Sequence, residues 1–375
     1  MNNPSRTMLV IGLAFFFVLA DGRCQTVKND PRIQSVPPGV RLDKVVMGYY
    51  ASWKKAEFDH TKIDYRFLTH IAEAFTKPDS DGRLVVDPEF VYPELVATAH
   101  ADGVKVLMSI GGWGNCEGFP GMAATAETRT RFIGEVVEFC LNHHYDGVDI
   151  DWEFVSSPQE QANFVLFIKE LSAALKSQTP PMLLSMAAPS NDFYGKWINY
   201  EELMTDFDFI GFMTYDFHGP WTDHSGHNSP LYSCDNDLDG SVNDTYLYAR
   251  SRQIPNEKLL LGVPFYGHSF DCPGLYMPFK TSDESSYREV MTLRSYGWRY
   301  IWDRCAQVPY VQNPDMSEIV SYDDVRSVLR KCQYVKEKQA AGIIIWELSQ
   351  DYWRGKAELL EVVGAAFQRK RKPIR

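Results

Sequence analysis

Three carboxylates at two-residue spacing are the feature of this sequence best suited to chemistry. Asp149, Asp151 and Glu153 alternate with other residues that include the apolar, β-branched Val148 and Ile150. Alternate side chains of a strand share one face, so the spacing predicts that the three carboxylates project together from one strand end. Carboxylates held this close cannot ionise independently, which favours general acid/base work. An acidic strand-to-loop junction or a metal cluster is the alternative, but the apolar residues indicate a strand whose other face is buried.

Eight short apolar segments with β-branched residues recur along the 375 residues. They are Val45–Ala51, Phe67–Phe75, Val104–Gly111, Tyr145–Glu153, Met182–Pro189, Phe207–Tyr215, Lys258–Tyr266 and Ala341–Glu347. Segments with helical spacing of apolar residues lie between them, such as Thr128–His143 and Glu160–Lys176. This alternation predicts an α/β fold with a parallel sheet, and eight units predict a closed (β/α)8 TIM barrel. The active site of such a barrel lies at the carboxyl ends of its strands.

The residues that we expect to bind a ligand collect where these predicted strands end, and most of them are aromatic or polar. They are Tyr49, Phe75, Ser109, Gly112, Trp113, Met213, Tyr215, Asp216, Tyr266 and Trp346. Sugar rings pack their flat C–H faces on aromatic side chains, while their hydroxyl and amide groups hydrogen-bond to carboxylates and phenols. A single aromatic residue such as Phe75 is as often an ordinary core residue. The joint position of these residues predicts a saccharide-binding cleft.

Charge and composition limit the kinds of partner. The net charge of -11 argues against nucleic-acid binding, which relies on clustered lysine and arginine. Hydrophobic residues make up 45% of the sequence and aromatic residues 14%, which is ample for a large core. A neutral polymer is therefore the expected partner, and we expect a monomer.

The N-terminus has the pattern of a signal peptide. Arg6 precedes an apolar run, Met8 to Ala20, that is too short to span a bilayer. We expect residues 1–24 to be removed and the mature protein to be secreted, extracellular and free of the membrane. The barrel should then occupy residues 40–368, and a basic tail residues 369–375.

Six cysteines follow this leader, an even number for an oxidising compartment. They are Cys116, Cys140, Cys234, Cys272, Cys305 and Cys332. None has the spacing of a zinc site. We therefore expect disulfides, whose pairing the sequence leaves open.

Four motifs, in order along the chain, resemble those of glycoside hydrolase family 18, the chitinases and their relatives. They are Ser109–Trp113, Asp146–Glu153 with the pattern D-x-x-D-x-D-x-E, Met213–Asp216 and Trp346–Ser349. The resemblance covers roughly Val45 to Phe367. Four motifs at the expected strand ends are a far more specific signal than a lone D-x-D.

The resemblance implies a role for each acid. Glu153 is implied to protonate the glycosidic oxygen, Asp151 to orient the acetamide of the substrate, and Asp149 to be the electrostatic partner of Asp151. This family is an exception among retaining glycosidases, because the N-acetyl oxygen of the substrate replaces a carboxylate nucleophile. We expect like charge from the two aspartates to keep Glu153 protonated.

The resemblance also implies the groups that hold the sugar. Tyr215 is similar to the family tyrosine that binds the acetamide carbonyl, with Asp216 beside it. Trp346 resembles the floor of the cleavage subsite, and Trp113 a platform beyond the scissile bond. Tyr49 and Ser109 resemble partners of Asp149. The implied ligand is chitin or N-acetylglucosamine oligosaccharides, and no cofactor or metal is implied.

The segment between the seventh and eighth strands departs from the pattern of many family members, which insert a compact α/β domain there. Only about Asp271 to Asp315 is available for an insertion. We expect it to be too short for a full domain, which would leave an open groove and favour cleavage within chains.

Two further motifs are reminiscent of metal sites. Asp235–Gly240 is similar to the start of a calcium loop, but Tyr246 replaces the glutamate expected at its twelfth position. His218, His224 and His227 suggest zinc, but the glycine, proline and serine around them favour a cleft-side loop whose histidines form local hydrogen bonds or touch sugar.

Three functions therefore remain. The first is a secreted chitinase that cleaves β-1,4-linked N-acetylglucosamine polymers. The second is an endo-β-N-acetylglucosaminidase acting on glycoprotein glycans with the same carboxylates. The third is a non-catalytic chitin-binding lectin, which the presence of Glu153 disfavours.

Overall fold

The computed structural model describes residues 42–235 and 237–369. The predicted leader and most of the basic tail lie outside the described residues. The strands in chain order are β1 Val45–Ala51, β2 His70–Pro78, β3 Leu84–Val85, β4 Lys105–Gly111, β5 Gly147–Asp151, β6 Leu183–Ala188, β7 Phe209–Phe212, β8 Leu259–Pro264, β9 Tyr266–Phe270, β10 Glu284–Ser286, β11 Arg299–Trp302, β12 Pro309–Gln312, β13 Ile319–Ser321, β14 Gly342–Trp346, β15 Tyr352–Trp353 and β16 Lys356–Ala357. The helices are α1 Pro93–Ala101, α2 Phe119–Ala124, α3 Ala126–His143, α4 Pro158–Lys176, α5 Asp192–Gly195, α6 Tyr200–Leu203, α7 Val242–Ser251, α8 Tyr287–Ser295, α9 Val325–Glu337 and α10 Glu358–Phe367. Within these residues, no helix combines the length and apolar character needed to cross a membrane.

Eight parallel strands close into a barrel, which confirms the predicted (β/α)8 fold. Their order is β1-β14-β8-β7-β6-β5-β4-β2, and β2 pairs with β1 to complete the circle. All eight predicted strands are present, and β1 has the predicted bounds. β2 lies three residues further along the chain than predicted, and the other six are shorter than predicted.

The side chains of β1 show how the barrel positions its site. Met47 and Tyr49 point into the barrel, where they pack with Leu107, Leu260 and Ile344. The alternate residues of the strand belong to the outer core between barrel and helices. Because side chains alternate along a strand, Tyr49 lies inside the barrel near its carboxyl end.

The two longest helices bury the apolar faces that their spacing predicts. Phe132, Val136 and Cys140 are buried on α3, and Phe164, Phe167, Leu171 and Leu175 are buried on α4. The side chains of Thr125 and Ser157 cap the first turns by accepting backbone N–H bonds. These helices pack against each other and cover the outer core of the barrel around β5.

The insertion after β8 is short but folded. β9 to β13 form a five-stranded antiparallel sheet in the order β10-β9-β13-β12-β11, and α8 connects β10 to β11. The expectation that this segment is too short for a compact α/β unit is therefore wrong. Its strands have only three to five residues each, so a domain-like unit fits into 266–321.

The cysteines form fewer disulfides than expected. Among the described residues one bond is present, Cys234–Cys305, with 6.0 Å between the Cα atoms. The remaining four cysteines, Cys116, Cys140, Cys272 and Cys332, are free thiols. Most of them are buried among apolar side chains, where cysteine packs as a small hydrophobic residue.

We expect the unreduced, unfolded chain without its leader to show four reactive thiols, and the reduced chain six. A variant with both Cys234→Ser and Cys305→Ser should show four under both conditions. Reductant should lower the melting temperature of the wild type but not of this variant, because only the wild type has a cross-link to lose. Six thiols without reductant would contradict the bond.

Candidate active site

Asp149 lies inside β5 and is the most enclosed of the three acids. Its carboxylate accepts hydrogen bonds from the hydroxyls of Tyr49 at 2.7 Å, Ser109 at 2.9 Å and Ser185 at 2.6 Å. Burial raises the pKa of Asp149, and these three donors oppose that shift because they stabilise the charged form. Tyr49 and Ser109 are therefore partners of Asp149, as the resemblance implied, and Ser185 is a third that it did not include.

Asp151 is the last residue of β5 and is also buried, with 4% of its surface exposed. Its Oδ1 has no hydrogen-bond partner among the described residues. Burial is the main cause that raises the pKa of Asp151 well above its usual range, followed by the charges of Glu153 and Asp149. A buried carboxyl oxygen without a partner is costly, so this atom is suited to receive a donor from a ligand.

Glu153 lies in the turn after β5, not in the strand as the spacing predicted. The pKa of Glu153 is raised to about 7, chiefly by burial and then by the charge of Asp216, while the backbone N–H of Trp113 opposes the shift. Burial and the charge of Asp216, from the loop after β7, are the largest causes that favour the neutral carboxyl. The charges of Glu153 and Asp151 also oppose each other, since the charge of Glu153 raises the pKa of Asp151, which is the kind of effect expected from the aspartates of β5.

Cys116 fixes the turn that carries this acid. The backbone N–H of Glu153 donates to the Cys116 Sγ at 3.1 Å, and the thiol lies 3.3 Å from the carbonyl oxygen of Asp151. Burial raises the pKa of Cys116 to about 12, so the group stays a thiol. Cys116 was predicted only as a disulfide candidate, because its contact with Glu153 joins two loops that are distant in the sequence.

The loop after β7 supplies the phenol and the carboxylate that face the acids. Tyr215 follows the end of β7, and burial together with the charge of Asp151 raises the pKa of its phenol well above the usual range. The phenol therefore keeps its proton and can donate it in a hydrogen bond. The ring of Tyr215 packs against the backbone of Gly262 on β8, where an added Cβ would lie 2.7 Å from the ring.

Asp216 is held by two residues of the insertion. The Tyr266 hydroxyl donates to the Asp216 Oδ1 at 2.6 Å, and the His268 Nε2 lies 2.9 Å from the same oxygen. Both partners lie on β9, so Tyr266 begins the inserted sheet instead of ending the seventh barrel strand. His268 was not predicted, because nothing in its local sequence connects it with Asp216.

Aromatic rings form the floor of the cleft. Trp346 and Phe75 stack at 5.6 Å between ring centroids with 17° between planes, and Trp53 stacks on Phe75 at 6.0 Å. Tyr49 lies 5.5 Å from Trp346. Trp53 was not among the predicted site residues, although its position two residues beyond β1 could have identified it. More than half of its surface is exposed, so it offers a face to a ligand.

Three predicted binding residues contribute in different ways. Gly112 has a φ of +82°, and an added Cβ would lie 2.4 Å from the Phe75 ring, so its role is to let that ring approach. Met213 packs against the apolar interior of the barrel. Trp113 projects with 77% of its surface exposed, as a platform for a ligand would.

Two of the three histidines in the loop after β7 are buried and do not form a sugar-binding surface. His218 and His227 are completely buried, and the ring of His227 contacts the Ser321 hydroxyl at 3.0 Å and the Asp303 carboxylate at 3.2 Å. Local hydrogen bonding, one of the two roles expected for them, is therefore present. The exposed aromatic residue of this loop is Trp221, which stands 5.4 Å from the ring of His268.

The comparison with known proteins agrees with this geometry. A family model described as glycosyl hydrolases family 18 matches residues 45–351. "Probable chitinase 10" of Drosophila melanogaster is 29% identical over 371 residues, which cover 87% of this chain but only 16% of that protein. A "chitinase-like effector" of Moniliophthora roreri is 28% identical, with 82% of this chain and 90% of that protein covered.

Solved structures give the same result. The Group IV chitinase of Ostrinia furnacalis in complex with allosamidin has a TM-score of 0.80 and 28% identity, covering 86% of this chain and 98% of that chain. A chitinase of Cycas revoluta in complex with (GlcNAc)4 has a TM-score of 0.80 and 25% identity, covering 86% and 99%. With the family model matched over most of the barrel, the chain belongs to glycosyl hydrolase family 18.

Proposed function

We propose that the protein is a secreted, endo-acting chitinase that cleaves β-1,4 bonds between N-acetylglucosamine units with retention of configuration. The unpartnered Oδ1 of the buried Asp151 is the observation that carries this proposal. It lies between the buried Asp149 and the protonated Glu153, where it can accept the N–H of an acetamide. An acetamide N–H at this point would satisfy an oxygen that no described residue satisfies.

In the first step, Glu153 donates its proton to the glycosidic oxygen, and the C1–O bond breaks with its electron pair going to that oxygen. The acetamide carbonyl oxygen attacks C1 and forms a cyclic oxazolinium ion. Asp151 accepts the amide N–H and balances the positive charge, while the Tyr215 hydroxyl donates to the acetamide oxygen.

In the second step, water adds to C1 and gives a proton to Glu153. The bond between C1 and the acetamide oxygen breaks, and its electron pair returns to the amide. Asp149 supports both steps, because its three hydroxyl donors let it hold negative charge beside Asp151. Glu153 therefore serves first as acid and then as base.

Exposed aromatic residues support binding of an extended chain. Trp113, Trp53 and Trp221 project from three different loops around the cleft, with 77%, 52% and 59% of their surfaces exposed. Such platforms bind successive sugars of a polymer on both sides of the reacting bond. Because the inserted sheet is present, cleavage within chains is supported by these platforms and not by an absent insertion.

A chitin-binding lectin is the competing function, because binding of the sugar does not require turnover. The complete set of acids favours an enzyme over a lectin. An endo-β-N-acetylglucosaminidase would use the same acids on a different glycan, so substrate choice must be measured directly.

The test is product analysis on a hexamer of N-acetylglucosamine beside a high-mannose glycopeptide. We expect shorter oligomers from the first and no cleavage of the second. Release of intact glycan from the glycopeptide would support the glucosaminidase instead, and binding of the hexamer without products would support the lectin.

We also expect kcat/KM for the hexamer to fall as pH rises through about 7, the pKa of Glu153, because only the protonated carboxyl can act as acid. Asp216→Asn removes a charge that raises this pKa, so the fall in kcat/KM should occur at lower pH. Glu117→Gln, a change of the same kind at an exposed carboxylate nearby, should not change the pH at which kcat/KM falls. A fall in kcat/KM at the same pH in Asp216→Asn and the wild type would contradict the assignment of this pKa to Glu153.

A further inference from the structure

A cluster of two histidines and two aspartates lies beside the cleft and takes no part in the proposed reaction. It consists of His218, His224, Asp237 and Asp239, each of which offers one atom, and these atoms all lie within 4.8 Å of one another. All four lie on the long connection between β7 and α7, the histidines in its first half and the aspartates near its end. The histidines and the aspartates were not predicted to meet, because more than ten residues of sequence separate His224 from Asp237.

The two imidazoles present their Nε2 atoms to this cluster. The Nδ1 of His218 lies 3.1 Å from the carbonyl oxygen of His227, and the Nδ1 of His224 lies 2.7 Å from the carboxylate of Asp223. An oxygen acceptor at Nδ1 holds the ring proton there, so in each neutral ring Nε2 carries a lone pair. Bonds of this kind also orient the histidine ligands of metals.

The four side-chain atoms that meet in this cluster are therefore all hydrogen-bond acceptors. The two Nε2 atoms lie 3.4 Å apart, and the Asp239 Oδ2 lies 3.2 Å from the Nε2 of His218 and 3.5 Å from that of His224. The Asp237 Oδ1 lies 3.6 Å from the Nε2 of His218. Two lone pairs and two carboxylate oxygens at this separation repel one another unless a metal cation, or a second proton on an imidazole, lies among them.

From this arrangement we propose that His218, His224, Asp237 and Asp239 bind a zinc ion. Four ligands at about 2.0–2.1 Å from tetrahedral zinc are separated from one another by about 3.3 Å. Four of the six pairs of these atoms are separated by 3.2 to 3.6 Å, close to that spacing, and all six pairs lie within 4.8 Å. Calcium fits poorly, because it takes six to eight oxygen ligands and two of the groups here are imidazoles.

The surroundings hold these ligands in place without the ion. An added Cβ on Gly226 would lie 2.4 Å from the His218 ring, so the backbone there clamps the imidazole. Asp237 exchanges two backbone hydrogen bonds with Cys234, which the disulfide ties to Cys305. Zinc would fasten the loop that carries Asp216 to this tethered segment. The proposal is independent of the proposed chitinase activity.

The test uses the mature chain without a histidine tag, stripped with EDTA and then freed of EDTA. Calorimetric titration with ZnCl2 and metal analysis after gel filtration should find one zinc per chain. Saturating zinc should raise the melting temperature by about 2–5 °C, because only the folded chain assembles the four ligands. Cobalt should give the visible absorption of a tetrahedral site.

The partly exposed ligands allow variants that leave the core intact. His224→Gln and Asp239→Asn should each weaken zinc affinity at least about tenfold. Mutation of residues that only orient metal ligands already lowers metal affinity by about that much, and these two residues are ligands themselves. Asp235→Asn changes the same charge in the same loop outside the cluster, and should bind zinc like the wild type. Equal zinc binding by all four proteins, no binding by the wild type, or calcium binding in preference to zinc would overturn the proposal.

Discussion

Glu153→Gln is expected to lower kcat for N-acetylglucosamine oligomers by roughly two to four orders of magnitude, the usual contribution of a general acid. The substitution removes the transferable proton of a carboxyl whose pKa burial and the charge of Asp216 raise to about 7. It preserves the shape of the side chain, so the backbone N–H bond of the turn to the Cys116 Sγ should remain. Oligomer affinity should change little, because the sugar contacts of the aromatic floor are untouched.

The measurement is initial-rate kinetics on the hexamer, with affinity followed by tryptophan fluorescence. Glu117→Gln is the matched control, since it makes the same change at an exposed carboxylate in the loop that also contains Cys116. Activity of Glu153→Gln close to that of the control would refute the role of general acid. Loss of binding in parallel with loss of rate would instead indicate a disturbed cleft.

Local patterns predicted the parts of the site that lie within one strand. The alternation of acids with Val148 and Ile150 requires β5, and β5 places both Asp149 and Asp151 where the spacing predicts. Glu153 shows the limit of that argument. The strand ends before it, so its position depends on the turn that Cys116 holds from another loop.

Contacts between distant segments could not be predicted in the same way. His268 and Tyr266 reach Asp216 across about fifty residues of sequence, as their separations of 52 and 50 show. The inserted sheet was missed for the same reason. β9 pairs with β10 on one side and with β13 on the other, and strands of three to five residues carry little periodicity of their own.

The disulfide illustrates a third kind of limit. An even number of cysteines indicates an oxidising compartment, but it does not distinguish bonded cysteines from buried thiols. Cys140 and Cys332 each lie on the apolar face of a helix and are completely buried. Their position in the helical pattern of apolar residues predicts burial more reliably than the cysteine count predicts a disulfide. A cysteine at a core-facing position of a helix is needed for packing whether or not a second thiol is near.

Early hydrolysis of the hexamer is expected to release the β-anomer at the new reducing end. If the acetamide oxygen attacks C1 from beneath the ring and water then enters from the side that the departing sugar left, two inversions give net retention. Anomer-resolved NMR, recorded before mutarotation, distinguishes this course from direct displacement by water. Direct displacement would give the α-anomer and would need a base across the ring, for which Asp216 is the nearest candidate.

The same experiment separates the role of Asp151 from a general need for negative charge. Asp151→Asn should lower kcat by about 10²–10³-fold, as loss of one electrostatic stabiliser of a transition state does.

A substrate deacetylated only at the sugar before the scissile bond should not be cleaved by the wild type, because it lacks the internal nucleophile. Its new ammonium group would still meet the buried carboxyl, so charge pairing alone would predict tight binding of this substrate. Binding without cleavage would therefore show that the acetamide itself is needed, whereas unimpaired cleavage, or α-product from the intact hexamer, would exclude the substrate-assisted course.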